Sequence, residues 1–249
     1  ATGPNPIAVA ALPGAEPRFV GLLRGAGAIV LLDGQAREMA RLSAPASPTG
    51  LSIAADGEVF VSGEASSSVA RYRFERGELV LGEPIALEGV RAIRGIALGP
   101  ERVLYAVEQQ EGRLITIALD RGTRIDGPRC HAPLQVARAG RFVVVNCLLD
   151  HTLVAYPVDA QGFPQESGAA RVTHDGPIWS FDAKPFENSL FIAAGGVEDH
   201  PLDRTEGSFG FIDSFAFLIQ IDARGAVTRR SAVNVSELGV ITPKWIDLA

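Results

Sequence analysis

Residues 93–127 read IRGIALGPERVLYAVEQQEGRLITIALDRGTRIDG, and this stretch decides the fold. A short apolar segment from Ile93 runs into a turn at Gly99-Pro100. An alternating strand, Val103-Leu104-Tyr105, comes next and ends in a polar turn. A second strand, Leu114-Ile115-Thr116-Ile117-Ala118-Leu119, leads to a more polar closing strand. Segments of about four to eight residues with period-two alternation between turn signals indicate antiparallel sheet. No stretch of about eleven residues or more keeps a 3.6 period, so helices are not expected.

The same grammar recurs along the chain. Units open at Pro48 (PTGLSIAADGEVFVSG), Pro133 (PLQVARAGRFVVVNC) and Pro177 (PIWSFDAKPFENSLFIAAGG), with a weaker copy from Pro6 and a final opening, TPKWIDLA, from Thr242. Unit starts near 6, 48, 93, 133, 177 and 243 lie 42, 45, 40, 44 and 66 residues apart. Four strands per unit of about 40–45 residues is the β-propeller repeat. The expectation is one all-β propeller domain over 1–249, with five blades across 6–241 and the first strand of a sixth at 243–248. Ending inside that strand reads as a chain that continues, in a six- or seven-bladed ring; the rival is a closed five-bladed ring. Ile53, Phe60, Val61, Ile96, Leu104, Val136, Val143, Val145, Phe181 and Phe191 are expected in the core.

Composition narrows the function. Lys plus Arg is 23 and Asp plus Glu is 29, a formal charge of −6, which argues against nucleic acid or an anionic membrane as partner. No run approaches about eighteen apolar residues, so no membrane-spanning helix is expected. The small, proline-rich start, Ala1-Thr2-Gly3-Pro4-Asn5-Pro6, has no basic or apolar signal region. It reads as the end left by export processing, which places the protein in the periplasm or outside the cell. Two cysteines are too few for a four-cysteine zinc site.

On propellers the loops around the channel mouth usually carry function. Those loops gather Arg94, Cys130, His131, Cys147, Asp150, His151, His174, Trp179, Lys244 and Trp245. The long last interval adds an insertion, GGVEDHPLDRTEGSFGFIDSF (195–215), with polar Asp199, His200, Asp203 and Arg204, and with Phe209 and Phe211 to pin it down. Long connections are usually functional or self-packed, and this one is read as a loop on a partner-docking surface. A metal bound by Glu198, Asp199, His200 and Asp203 matches no standard loop, so no metal is assigned. His174-Asp175 reads as an exposed histidine beside a turn-capping aspartate. Trp179 and Trp245 occupy equivalent blade positions, filling gaps between blades or stacking a ligand.

The cysteines can be placed on a hairpin. With Ala139-Gly140 as a two-residue turn, Arg138 faces Arg141, and Cys130 and Cys147 are diagonal neighbours about 7–8 Å apart. That is slightly beyond the usual disulfide reach, and a one-residue relaxation near Pro133 would close the gap. Two states remain open: a disulfide in an exported protein, or two buried thiols. No catalytic signature is present: there is no G-x-S-x-G, no glycine-rich phosphate loop and no H-E-x-x-H.

The blade openings PTGLSIAADGEVFVSG and PLQVARAGRFVVVNC resemble the YVTN-type propellers of bacterial exported proteins. The segment GGVEDHPLDRTEGSFGFIDSFAFLIQID is similar to propellers attached to di-haem cytochrome c peroxidase or MauG-like domains. The resemblance implies a periplasmic, non-catalytic scaffold that acts with a c-type cytochrome, either a protein partner or a further C-terminal domain. The sequence has no C-x-x-C-H, so haem belongs to that partner or domain, and no cofactor or catalytic residue is assigned to this chain. The competing reading is a calcium-dependent lactonase-like propeller, for which Glu64, Asn146, Asp150 and Asn188 would be the available ligands.

Overall fold

A computed structural model describes residues 5–200, 211–240 and 246–248, with the side chains of 199, 200, 211 and 212 left out of the description. Among the described residues the strands form five antiparallel sheets, each a meander of four neighbouring strands. The first is β1 (Pro6–Leu12), β2 (Arg18–Leu23), β3 (Ala28–Leu32) and β4 (Glu38–Ser43). The second is β5 (Pro48–Ile53), β6 (Val59–Gly63), β7 (Ser68–Glu75) and β8 (Glu78–Leu81), with the short β9 (Ile85–Ala86) also on β7. The third is β10 (Ile93–Leu98), β11 (Val103–Glu108), β12 (Arg113–Ala118) and β13 (Thr123–Arg129). The fourth is β14 (Pro133–Ala139), β15 (Phe142–Cys147), β16 (Thr152–Pro157) and β17 (Ala170–Thr173). The fifth is β18 (Ile178–Phe186), β19 (Ser189–His200), β20 (Phe211–Ile221) and β21 (Val227–Asn234).

These are propeller blades, and their first strands begin at the expected phase. The chain divides into two compact units after Asp126. In each unit burial falls toward the last strand of a blade: β3, β6, β11 and β15 are buried throughout, whereas β4 and β21 are mostly exposed. Eight of the ten expected core residues are buried. Ile53 and Phe191 are only half-buried. Ile53 is the last residue of β5, beside the Asp56-Gly57 turn, and Phe191 lies against the exposed Phe186 ring at 6.0 Å. Among the described residues the helical content is two 3-10 turns, Leu148–Asp150 and Ser236–Leu238, and no helix there is long and apolar enough to cross a membrane.

One irregularity repeats in every blade. The ladder between first and second strands slips by one residue after the first pair: Pro6/Ala8, Pro48/Gly50, Ile93/Gly95, Pro133/Gln135 and Ile178/Ser180. The extra residue in each bulge is Ile7, Thr49, Arg94, Leu134 or Trp179, and all five are half-buried. A bulge leaves its extra residue outside the pairing and re-aims the side chain.

Neighbouring first strands within a unit are joined by side chains rather than by a ladder. In the first unit Thr49 Oγ1 donates to the Ile93 carbonyl at 2.8 Å, and Leu98 N–H donates to Ser52 Oγ at 3.1 Å. In the second, Gln135 clamps Phe181, with Nε2 donating to its carbonyl at 2.7 Å and Oε1 accepting its N–H at 3.2 Å.

Two expectations are corrected. The β14–β15 turn is Gly140-Arg141 rather than Ala139-Gly140, because Ala139 pairs with Phe142 and Gly140 supplies the positive φ of +56° at the first turn position. The supposed loop over 195–210 is strand up to His200 and again from Phe211, with pairs continuing to His200↔Phe211. Ladder pairing, not side-chain alternation, carries the hairpin through the glycines and charges. Of the expected sixth opening strand, 243–245 lie outside the described residues. Ile246–Leu248 are irregular chain, tethered where Leu248 N–H donates to the Asp182 carboxylate at 2.9 Å.

Candidate functional site

In the second unit the chain leaves β15 through the 3-10 turn Leu148–Asp150, closed by His151 in the left-handed conformation (φ +51°). Ala132, also left-handed at φ +49°, folds the preceding segment back onto this turn. The Asp150 carboxylate therefore meets His131 twice: Nδ1 at 2.5 Å from Oδ1, and the backbone N–H donating to Oδ2 at 2.9 Å. Partial burial pushes the Asp150 carboxyl up, but the two His131 contacts more than offset this and hold it below the ordinary value.

Cys130 and Cys147 form a disulfide beside this pair, with Cα atoms 5.6 Å apart. Cys147 faces Pro133 across the ladder, so Cys130 sits outside the sheet. It is brought to its partner by the bulge at Leu134 and the reversal at Ala132, not as a diagonal neighbour. Asp150 lies within 4.8 Å of both sulfurs. Because the sulfurs are bonded to each other, they are not available as thiolate ligands.

The next loop adds two histidines. His151 Nδ1 is 3.1 Å from the carbonyl oxygen of Asp175, which makes Nδ1 the protonated nitrogen. Its own carbonyl accepts the His174 N–H at 2.9 Å. His174 is buried rather than exposed, the expectation having missed two rings from β20 that pack on it edge-on: Phe217 at 4.4 Å and Phe215 at 5.8 Å. Its Nε2 has no hydrogen-bond partner and lies 3.7 Å from Glu198 Oε1. Burial lowers the His174 pKa, Arg230 adds to this, and Glu198 opposes it.

Glu198 belongs to an arm. β18 pairs with β19 only as far as Gly196, and β21 pairs with β20 only as far as Phe215. Beyond them β19 and β20 continue as a two-stranded ribbon through Glu198↔Asp213, Asp199↔Ile212 and His200↔Phe211. The base of the ribbon is fixed by Val197 N–H donating to the Pro177 carbonyl at 3.0 Å, and by Val235 N–H donating to the Ser214 carbonyl at 2.7 Å. Ser214 N–H also donates to Ser236 Oγ at 2.6 Å.

Of the residues singled out in the sequence, the structure gathers His131, Asp150, His151 and the cystine at one end of the fourth blade. Trp179 occupies the bulge at the start of the fifth, its indole nitrogen buried without a partner. The side chains of Asp199 and His200, and all of Asp203, Arg204, Phe209, Lys244 and Trp245, lie outside the described residues. So does the Phe211 side chain. Arg94 belongs to the first unit, where it shares Glu64 with Arg24, each strand end coming from a different blade. Asn188 is exposed in the β18–β19 turn. Arg24, the approach of Glu198 to His174 and the burial of His174 were not anticipated. Arg24 and Glu64 each directly follow the second strand of a blade, so superposing the repeats would have paired them.

No family model and no curated protein matches the sequence. Solved structures do match the fold. Hydrazine synthase of Kuenenia stuttgartiensis superposes at a TM-score of 0.66 with 12% identity, over 88% of this chain and 66% of that one. This chain therefore spans slightly less than two thirds of that length. A virginiamycin B lyase of Staphylococcus aureus gives 0.58 with 13% identity over 92% and 84% of the two chains. A streptogramin B lyase gives 0.61 with 10% identity over 92% and 83%. At these identities the likeness establishes the architecture: the chain is an all-β propeller fold. Function has to be argued from its own residues.

Proposed function

We propose that the chain is an exported, non-catalytic propeller scaffold that docks a c-type cytochrome of the di-haem peroxidase kind. The docking surface is the arm of the fifth blade with the cystine-pinned loops of the fourth. The arm carries this reading. Four further residue pairs of ladder, Val197↔Ser214 to His200↔Phe211, extend past the blade where the neighbouring strands have stopped. A two-stranded ribbon with no sheet beside it is marginal alone, and a partner that covers it would repay its ordering. The cystine supports export, since disulfides persist in oxidising compartments. His131 stands largely exposed on an oriented carboxylate, a rigid polar contact at the same loops. The resemblance of the arm segment to MauG-associated propellers supplies the identity of the partner. The lactonase alternative is weakened at Glu64, where two guanidiniums neutralise the carboxylate a calcium ion would need.

The test is calorimetric titration of the chain with a purified di-haem c-type cytochrome at low salt, repeated with residues 198–213 replaced by Gly-Gly. Micromolar or tighter binding that the trimmed, still folded protein loses is the expected result. Equal binding by both forms ends the docking reading, and stoichiometric calcium in the purified protein favours the hydrolase.

A further inference from the structure

In the first unit, three consecutive blades each send one charged side chain to a common point. Arg24 follows β2, Glu64 follows β6, and Arg94 is the bulge residue of β10. Both guanidiniums address the same oxygen, Glu64 Oε2: Arg94 Nη1 at 2.8 Å and Arg24 Nη2 in a shorter contact. The group carries a net charge of +1 while all three side chains remain partly open to solvent. Arg94 Nε is buried and has no hydrogen-bond partner. A buried donor left unmatched is costly, and a guanidinium is built to satisfy two acceptors of one planar anion at once. Burial raises the Glu64 pKa and the two arginines more than offset it, so the carboxylate stays ionised and holds the place between them.

We propose that Arg24 and Arg94 form a carboxylate receptor, in which Glu64 is the internal occupant that an incoming carboxylate displaces. The site lies wholly in the first unit and does not depend on the arm or its partner. A second carboxylate reaching the pair would bridge the Nη groups of Arg24 and Arg94 in the place Glu64 now holds. With Arg94 turned toward it, the now-buried Nε–H would also gain an acceptor, an arrangement that Glu64 does not make. The ligand is a small organic acid or an acidic side chain of a docked protein; the chemistry is shared, and the experiment separates them.

Succinate and an acetylated hexaglutamate peptide are titrated calorimetrically into the chain at low ionic strength. The native protein is expected to bind weakly because Glu64 competes. Glu64→Gln removes the competitor and should bind about tenfold or more tightly. Adding Arg94→Gln or Arg24→Gln to Glu64→Gln should abolish that gain. Should Arg94→Gln unfold the unit, Arg94→Lys serves: it keeps the charge, loses the fork, and should still lose the gain. The thermal midpoint of Glu64→Gln should fall and be restored by succinate, a rescue that a purely structural ion pair would not show. Tighter succinate binding identifies a free acid, and tighter peptide binding an acidic protein segment. Failure of Glu64→Gln to bind either probe better than the native chain overturns the proposal, as does full retention of binding without Arg94.

Discussion

The side-chain amide of Asn146 donates a 2.7 Å hydrogen bond to the carbonyl of Ile178, carrying the second strand of the fourth blade onto the first strand of the fifth. Asn146 is fully buried, so this bond is made away from water. Asn146→Ala leaves the Ile178 carbonyl unmatched and should lower unfolding stability by about 2 kcal/mol. Asn146→Asp should lower it further, since the carboxylate cannot donate and is buried as a charge. Urea unfolding at neutral pH measures both, and a loss below 0.5 kcal/mol (about the effect of a neutral surface change) would show that the bond carries little.

The cystine closes a loop with a sequence separation of 17 residues. In the chain-entropy description a loop of that size contributes about 3 kcal/mol. Thiol titration of the denatured, unreduced protein should find no free thiol. Double substitution Cys130→Ser and Cys147→Ala should shift the urea midpoint down by a corresponding amount, and two reactive thiols in the native sequence would refute the bond.

His174 gives stability a sign-defined pH dependence. Its folded pKa lies below the ordinary imidazole value of 6.5, chiefly through burial. The unfolded chain then takes up the proton first. The contribution is complete above 6.5 and is lost as pH falls from there through the depressed folded value. His174→Phe keeps the ring packing and removes the titration. Urea midpoints from pH 8 to pH 5 should fall less steeply for this variant than for the native chain, and parallel curves would exclude His174 as the cause.

At Gly176 a Cβ would meet the Val197 carbonyl oxygen at 1.8 Å. That oxygen is backbone at the base of the arm, so it has little freedom to move. Gly176→Ala should destabilise the fifth blade by about 2 kcal/mol or more through overpacking. Hydrogen exchange should quicken at Val197, whose N–H is bonded to Pro177, and unchanged protection there would show that the loop gives way instead.

Blade phase was legible because each first strand opens on proline or isoleucine and, in the first four blades, its hairpin is closed by a Gly- or Pro-bearing turn, a local signal; the fifth turns through Glu187-Asn188. The register of the fourth blade was read one step off because Gly140 fits either place in a two-residue turn, and only the closed ladder distinguishes them. The arm was read as a loop because glycine and acidic residues weaken strand propensity, whereas the cross-strand partners that hold it lie beyond residue 210. His174 looked like a surface residue for a related reason: Phe215 and Phe217, which bury it, come more than forty positions later. The Arg24–Glu64–Arg94 group joins three blades, and no window of sequence contains it.

The slipped residue at the start of each blade has a consequence for how such a chain can change. Ile7, Thr49, Arg94, Leu134 and Trp179 stand outside the in–out alternation, so no ladder partner dictates their chemistry. Aliphatic, hydroxyl, cationic and aromatic groups already occupy the five places on one repeated backbone step. Mutation at these positions changes the chemistry presented without shifting the register, at a cost where the residue also holds the fold, as Thr49 does by bonding the next blade and Ile7 by packing on the core. The repeat fixes the backbone step and leaves the group standing on it open to change.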